Sequence, residues 1–133
     1  MEIGSAEDIY DDKDTFIHYY VAIVKKYKEI SPDAKFFFVT FPKEDLPGRE
    51  EKAKSMVEAL YSLAEYFDKS YVIDLYKYGP EYNEEFRKKF YLYGHMNPSG
   101  YILTARIIDS YIDYIIRHNP EDFRTAGLIG KAL

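Results

Sequence analysis

Ala34-Lys35-Phe36-Phe37-Phe38-Val39-Thr40-Phe41 is the run on which the fold turns. It is short and almost uniformly apolar, a run of Phe, Val and Thr, with none of the alternation of a strand that has one wet face. A strand buried on both faces, the kind found in parallel sheets, is expected from Ala34 to Phe41. Upstream, Ser31-Pro32-Asp33 stops a helix, because proline cannot continue one and restricts the residue before it. That helix shows Phe16, Tyr19, Tyr20, Ile23, Val24 and Tyr27 at helical spacing, with Asp14 or Thr15 as its cap. The first dozen residues are polar and acidic and read as a loop.

Downstream, Pro42 to Gly48 is a loop with two prolines and a glycine. From Arg49 to about Phe67 the period is helical again, with Ala53, Met56, Val57, Leu60, Leu63, Ala64 and Phe67 in one stripe. Tyr71-Val72-Ile73-Asp74-Leu75 is a second short strand. Gly79-Pro80 is a turn, with Pro80 in the first turn of a helix running to about Phe90. Tyr91 to Asn97 reads as a loop. Asn97 caps a last helix with Pro98 in its first turn. Tyr101, Ile102, Ala105, Ile108, Tyr111, Ile112 and Ile115 form its apolar face, and Asn119-Pro120 stops it.

Strands alternating with helices imply parallel pairing with right-handed crossovers. The fold class is α/β, and residues 1–133 fit a single domain. Two strands are few for the helices that need a sheet to cover. Either Glu2-Ile3 is the tail of another strand or further strands come from elsewhere.

Composition narrows the function. The 133 residues hold 15 Tyr and 9 Phe, which core and rim packing of rings explains, and a formal net charge of −5, which opposes nonspecific nucleic-acid binding. The basic clusters Lys25-Lys26 with Lys28, and Arg87-Lys88-Lys89, read as solvated helix faces. Cysteine is absent, which removes disulfides, thiolate metal sites and cysteine nucleophiles. No stretch reads as a signal peptide or reaches the ~20 apolar residues of a membrane span. A cytoplasmic protein that binds neither membrane nor nucleic acid is expected. Asp8, Asp11, Asp12 and Asp14 fail the calcium-loop pattern, because Lys13 and Tyr19 stand where Gly and Glu are required. The histidines His18, His95 and His118 lack metal-ligand spacing, and no phosphate loop occurs, so no cofactor or metal is expected.

In an open α/β sheet, ligands bind beyond the carboxyl ends of the strands. Thr40 and Asp74 stand there. The segment Leu92-Tyr93-Gly94-His95-Met96-Asn97 precedes a long helix and can reach the same edge. A histidine in such a segment, beside a glycine and off any apolar stripe, is a candidate acid–base group.

Gly94-His95-Met96-Asn97-Pro98-Ser99-Gly100-Tyr101 resembles the last block of the SGNH (GDSL-like) hydrolases, in which a histidine precedes an Asn and a Gly-Tyr at the start of the final helix. Phe16 and Tyr20 on the first helix, and the strands at Ala34–Pro42 and Tyr71–Leu75, are similar to that family's later elements, so the resemblance covers nearly the whole chain. It implies a three-layer α/β/α sandwich, flavodoxin-like, here incomplete because N-terminal strands are missing. It implies hydrolysis of an ester, an acetylated carbohydrate or a lipid-like one. His95 would take the proton of a serine and return it to the leaving alcohol, since a serine hydroxyl is a weak nucleophile without a base in reach. Asn97 and Thr40 are expected to contact substrate, and Asp74, the nearest strand-end carboxylate, is expected to stand in for the family's orienting aspartate.

The chain departs from the family in four places. It has no Gly-Asp-Ser nucleophile segment, and it lacks the glycine and asparagine that donate to the oxyanion. Met1-Glu2-Ile3-Gly4 resembles the trailing edge of the asparagine block. The position three residues before the histidine, where the family places an aspartate, is Leu92. The remaining serines, Ser5 and Ser99 among them, have no nucleophile context. Two functions are therefore expected to compete. One is a hydrolase portion inactive until a nucleophile-bearing segment is supplied. The other is a noncatalytic α/β module that uses its sheet edge to self-associate, as a homo-oligomer, or to bind a partner.

Overall fold

Helical spacing of large apolar residues, broken by proline, makes the first element. The computed structural model describes residues 13–124, and in it this helix is α1, Lys13–Ile30. Asp14 and Thr15 lie inside α1 rather than ahead of it as caps. Glu2-Ile3, Met1-Glu2-Ile3-Gly4 and Ser5 lie outside the described residues. The fold divides after Asn83 into two compact units.

In the first unit, α1 is followed by β1 (Phe36–Val39), α2 (Glu50–Tyr66), β2 (Ser70–Ile73) and α3, a single turn (Leu75–Tyr78). β1 and β2 pair in parallel, Phe36 opposite Ser70 through Val39 opposite Ile73, with α2 as the crossover. The core lies on one face of this pair. Phe38 and Val72 meet Phe16 and Val24 of α1 and Met56, Ala59, Leu60 and Leu63 of α2, closed by Phe67. Tyr20 packs edge-on against Phe38, with ring centres 5.8 Å apart. Each such buried side chain contributes about 1.5–3 kcal/mol.

Strand side chains alternate between faces, so Phe37 and Val39 point away from α1 and α2. Phe37 stacks on Tyr71 at 5.9 Å. Burial on both faces was expected for β1, but Phe37 is only half-buried and Val39 is 41% exposed. Both strands are also shorter than their apolar runs. Thr40 and Asp74 end them, because each turns its side chain to a backbone amide.

The second unit runs α4 (Glu84–Phe90), β3 (Tyr91–Leu92), β4 (His95–Met96) and α5 (Pro98–His118). α4 begins at Glu84 and not at Pro80. Residues 80–83 stay outside the helix, and Tyr82 is tied elsewhere: its amide donates to the Lys43 carbonyl at 2.8 Å, and it bridges Glu44 in parallel. α5 begins at Pro98 behind its Asn97 cap, as its sequence signals require. Its covered side differs from the expected face. Leu103, Thr104, Ile107, Ile108, Tyr111 and Ile112 are half-buried and Ile115 is buried, while Tyr101, Ile102 and Ala105 stay exposed. At its end the Asn119 side-chain amide donates to the Ile115 carbonyl at 2.8 Å, satisfying one of the last orphan oxygens. Among the described residues, no helix is long and apolar enough to cross a membrane.

Candidate functional site

The segment around His95 is a tight hairpin, although its sequence reads as a loop. β3 and β4 pair antiparallel, Tyr91 opposite Met96 and Leu92 opposite His95. Only Tyr93 and Gly94 remain for the turn, and both have positive φ, +51° and +78°. Two consecutive positive φ values are the signature of a type I′ turn, whose twist matches that of the flanking strands. Gly94 adopts its angle freely. Tyr93 does not, because a Cβ in the left-handed region crowds the following carbonyl oxygen at about 1–2 kcal/mol. Directly opposed residues share a face of the ribbon, so Leu92 and His95 lie side by side. Leu92 is therefore the imidazole's cross-strand neighbour, at the position where the family pattern has an acid.

Asn97 fastens the hairpin to α5. Its Oδ1 accepts from the Gly100 amide at 2.9 Å, its Nδ2 donates to the Lys89 carbonyl at 2.8 Å, and its backbone amide donates to the Phe90 carbonyl at 2.7 Å. Both ends of the side-chain amide thus serve the backbone on either side of the hairpin. Met96 joins the same arrangement through its sulfur, which accepts from the Thr104 hydroxyl at 3.4 Å.

His95 itself is exposed, and among the described residues its ring has no hydrogen-bond partner. The other two histidines are engaged locally. His118 Nδ1 lies 2.8 Å from the Tyr114 carbonyl oxygen with its ring stacked on Tyr114, and His18 packs edge-on against Tyr19. A pinned backbone and an uncommitted imidazole give His95 the freedom to exchange a proton with something outside the described fold.

Thr40 and Asp74 come together in the first unit. Thr40, 4% exposed, accepts from the Tyr76 amide at 3.0 Å through Oγ1, which donates to the Phe41 carbonyl at 3.2 Å. Asp74, 2% exposed, is the N-cap of α3. Its Oδ1 accepts from the Lys77 amide at 2.8 Å and its Oδ2 from the Tyr61 hydroxyl at 2.6 Å. Together they lock α3 across the carboxyl ends of the two strands. Asp74 and Thr40 belong to one unit, His95 and Asn97 to the other.

A cleft of about 1010 Å³ opens at this end of the parallel pair, where sheet geometry places ligands. Phe41, Leu46, Ala53, Met56 and Tyr76 contribute apolar wall, and its charged lining mixes Lys43, Arg49 and Lys52 with Glu44, Asp45, Glu50 and Glu81. Thr40 and Asp74 stand behind this wall: Thr40 holds the Tyr76 amide, and Asp74 caps the turn that carries Tyr76. The cleft went unread in the sequence because it is assembled from a loop, a helix start and a helical turn that only the tertiary fold brings together. Among the described residues, no group of His, Asp or Glu is arranged to hold a metal ion.

These features define a mixed α/β protein with small two-stranded sheets. Compared with known proteins, the chain matches no family model, no curated protein and no solved structure.

Proposed function

We propose that the chain is the histidine-bearing portion of an SGNH-type acyl hydrolase acting on an ester, an acetylated carbohydrate or a lipid-like one, and that it is inactive without a serine-bearing segment. The observation that carries the proposal is the state of His95. Its backbone is pinned from both sides by the I′ turn and the Asn97 cap, while its ring is exposed and uncommitted. In this proposal His95 takes the serine proton as the hydroxyl attacks the ester carbonyl, then returns it to the leaving alcohol. Asn97 fixes the backbone beside His95, while Thr40 and Asp74 fix the α3 turn of the other unit. Leu92 supplies the imidazole with no hydrogen-bond acceptor, so any orienting carboxylate comes from another segment.

The three-layer sandwich belongs to the same proposal. Both faces of the β1–β2 pair are apolar, Phe36, Phe38 and Val72 on one and Phe37, Val39, Tyr71 and Ile73 on the other. A sheet apolar on both faces calls for helices on both.

The test is turnover of p-nitrophenyl acetate by the complete reading frame in which this chain occurs, beside its His95→Ala variant. Loss of a catalytic base lowers kcat/KM by about 10³-fold or more and removes labelling by a serine-directed fluorophosphonate. Equal rates in the two proteins sink the proposal.

A second function is favoured by one observation. Among the described residues, β1 and β2 pair only with each other, which leaves each an outer edge. Such edges recruit further strands, so a noncatalytic module that self-associates fits them. Sedimentation of the isolated chain reads this directly: a concentration-dependent dimer, together with no ester turnover by the complete reading frame, supports the second function over the first.

A further inference from the structure

We infer that the outer edge of β1, together with the side of α1 that overhangs it, is the surface on which a second copy of this chain docks; the inference rests on the self-associating reading and names its interface. The two strands are not equally covered. Val39 and Ile73 are register partners on one face, yet Ile73 is 1% exposed and Val39 is 41% exposed. The cover that buries Ile73 therefore stops short of β1. In the ladder, the Phe36 and Thr40 amides donate to the Lys69 and Ile73 carbonyls, each at 3.0 Å. Alternate residues of a strand turn their backbone groups to opposite sides, so the Val39 amide points to the outer edge.

α1 repeats this asymmetry. Ile17 and Val21, on one side of the buried Val24, pack into the core. Ile23, Tyr27 and Ile30, on the other side, are 54%, 59% and 76% exposed. Tyr27 still reaches Phe36 of β1, with ring centres 6.4 Å apart, so this bare stripe follows β1. α2 packs over β2, which leaves the stripe beyond the β1 edge rather than between the helices.

A second copy fits strand and helix at once. Antiparallel pairing of β1 with its copy has a two-fold axis normal to the sheet, which brings both α1 helices to the same face, stripe against stripe. Such strands stand ~4.8 Å apart, and helices flanking them meet at ~8–10 Å. β1 carries no Lys, Glu or Pro, the residues that blunt natural edges. With the axis between Phe37 and Phe38, Lys35 stands opposite Thr40 of the second copy, so no like charges meet. The chain's own first twelve residues include Glu2, Glu7, Asp8, Asp11 and Asp12, and match an apolar surface less well than a copy of that surface does.

The experiment is sedimentation equilibrium of the 133-residue chain beside three variants, with circular dichroism to confirm folding. The native chain is expected to form a concentration-dependent dimer. Val39→Pro removes the outward amide and leaves the ladder to β2 intact. Ile23→Lys puts a charge into the α1 stripe. Each should raise the dimer dissociation constant about tenfold or more. Ile102→Lys, at an exposed position of α5, should leave it unchanged. Should Val39→Pro fail to fold, Ile23→Lys decides. A monomer at every concentration, a dimer whose affinity survives either folded variant, or one that Ile102→Lys weakens equally overturns the inference. A dimer that survives both variants spares the self-associating reading. Ester turnover by the complete reading frame sinks the noncatalytic reading and leaves this interface standing.

Discussion

Gly100 sits against Phe90 so closely that a Cβ built on it would lie 2.6 Å from the Phe90 carbonyl oxygen and 3.2 Å from the Phe90 Cβ. The contact joins the first turn of α5 to the end of α4 at the mouth of the hairpin. Real Cβ atoms do not approach a backbone oxygen that closely, and that oxygen cannot move aside, because it accepts from the Asn97 amide. Gly100→Ala is therefore expected to destabilise the chain by about 1–3 kcal/mol despite alanine's better helix propensity. Chemical denaturation checks it, and a variant as stable as the native chain would show that α5 can shift without cost.

Asn97 is expected to separate into two contributions. Asn97→Asp keeps the oxygen that caps α5 and loses the donor to Lys89. Asn97→Ala loses both, at about 1–2 kcal/mol for the cap alone. The order of stability should be native, Asp, Ala. Hydrogen exchange at the Gly100 amide locates the difference, rising in Ala and not in Asp.

Asp74 carries a buried carboxylate whose two oxygens serve Tyr61 and Lys77. Removing it in Asp74→Ala strands the Lys77 amide and undoes the α3 turn, with an expected loss of about 2–3 kcal/mol. Tyr61→Phe removes one bond and should cost about 1–2 kcal/mol. In a double-mutant cycle the pair should couple, because each variant deletes the same hydrogen bond. Additive losses would mean that Tyr61 acts on something other than Asp74.

Lys54 supplies a pH signature. Its ammonium is held above its ordinary value of 10.5, first by the hydrogen bond to Glu50, 3.2 Å away on the same helix face, then by the charge of Glu50 and, more weakly, by Tyr76. A raised folded pKa means that the pairing contributes from neutral pH up to the ordinary value and is lost as pH climbs through the raised one. The group is fully exposed, so the effect on stability is small. The clean measurement is the Lys54 Cε titration: its midpoint should fall in Glu50→Gln.

Much of the first unit was legible because its signals are local. Ser31-Pro32 ends α1, the stripe from Met56 to Leu63 faces inward, and two apolar runs joined by one helix pair in parallel. Asn97-Pro98 marks the start of α5 for the same reason, since a cap and a first-turn proline act within a few residues. The hairpin was not legible. Tyr-Gly lacks the Asn-Gly signal of an I′ turn, and Tyr93 takes its angle only because the paired flanks hold it there. α3 was hidden as well. Asp74 ahead of Leu-Tyr-Lys-Tyr and Gly79 has the pattern of a capped turn, yet one turn is too short to show a period.

The sequence by itself determined the order of α1, β1, α2, β2, α4 and α5, the parallel sense of β1 and β2, and the histidine before a capped helix. These depend on periodicity, proline and caps, which act over a few neighbouring residues. The tertiary structure alone decided that Leu92 faces His95, that Asp74 caps a turn against Tyr61, that α5 turns Leu103 and Ile107 inward rather than Tyr101 and Ile102, and that a cleft opens beyond β1. Those facts depend on which surfaces meet, and burial is settled by the partner a surface finds rather than by the residues it carries.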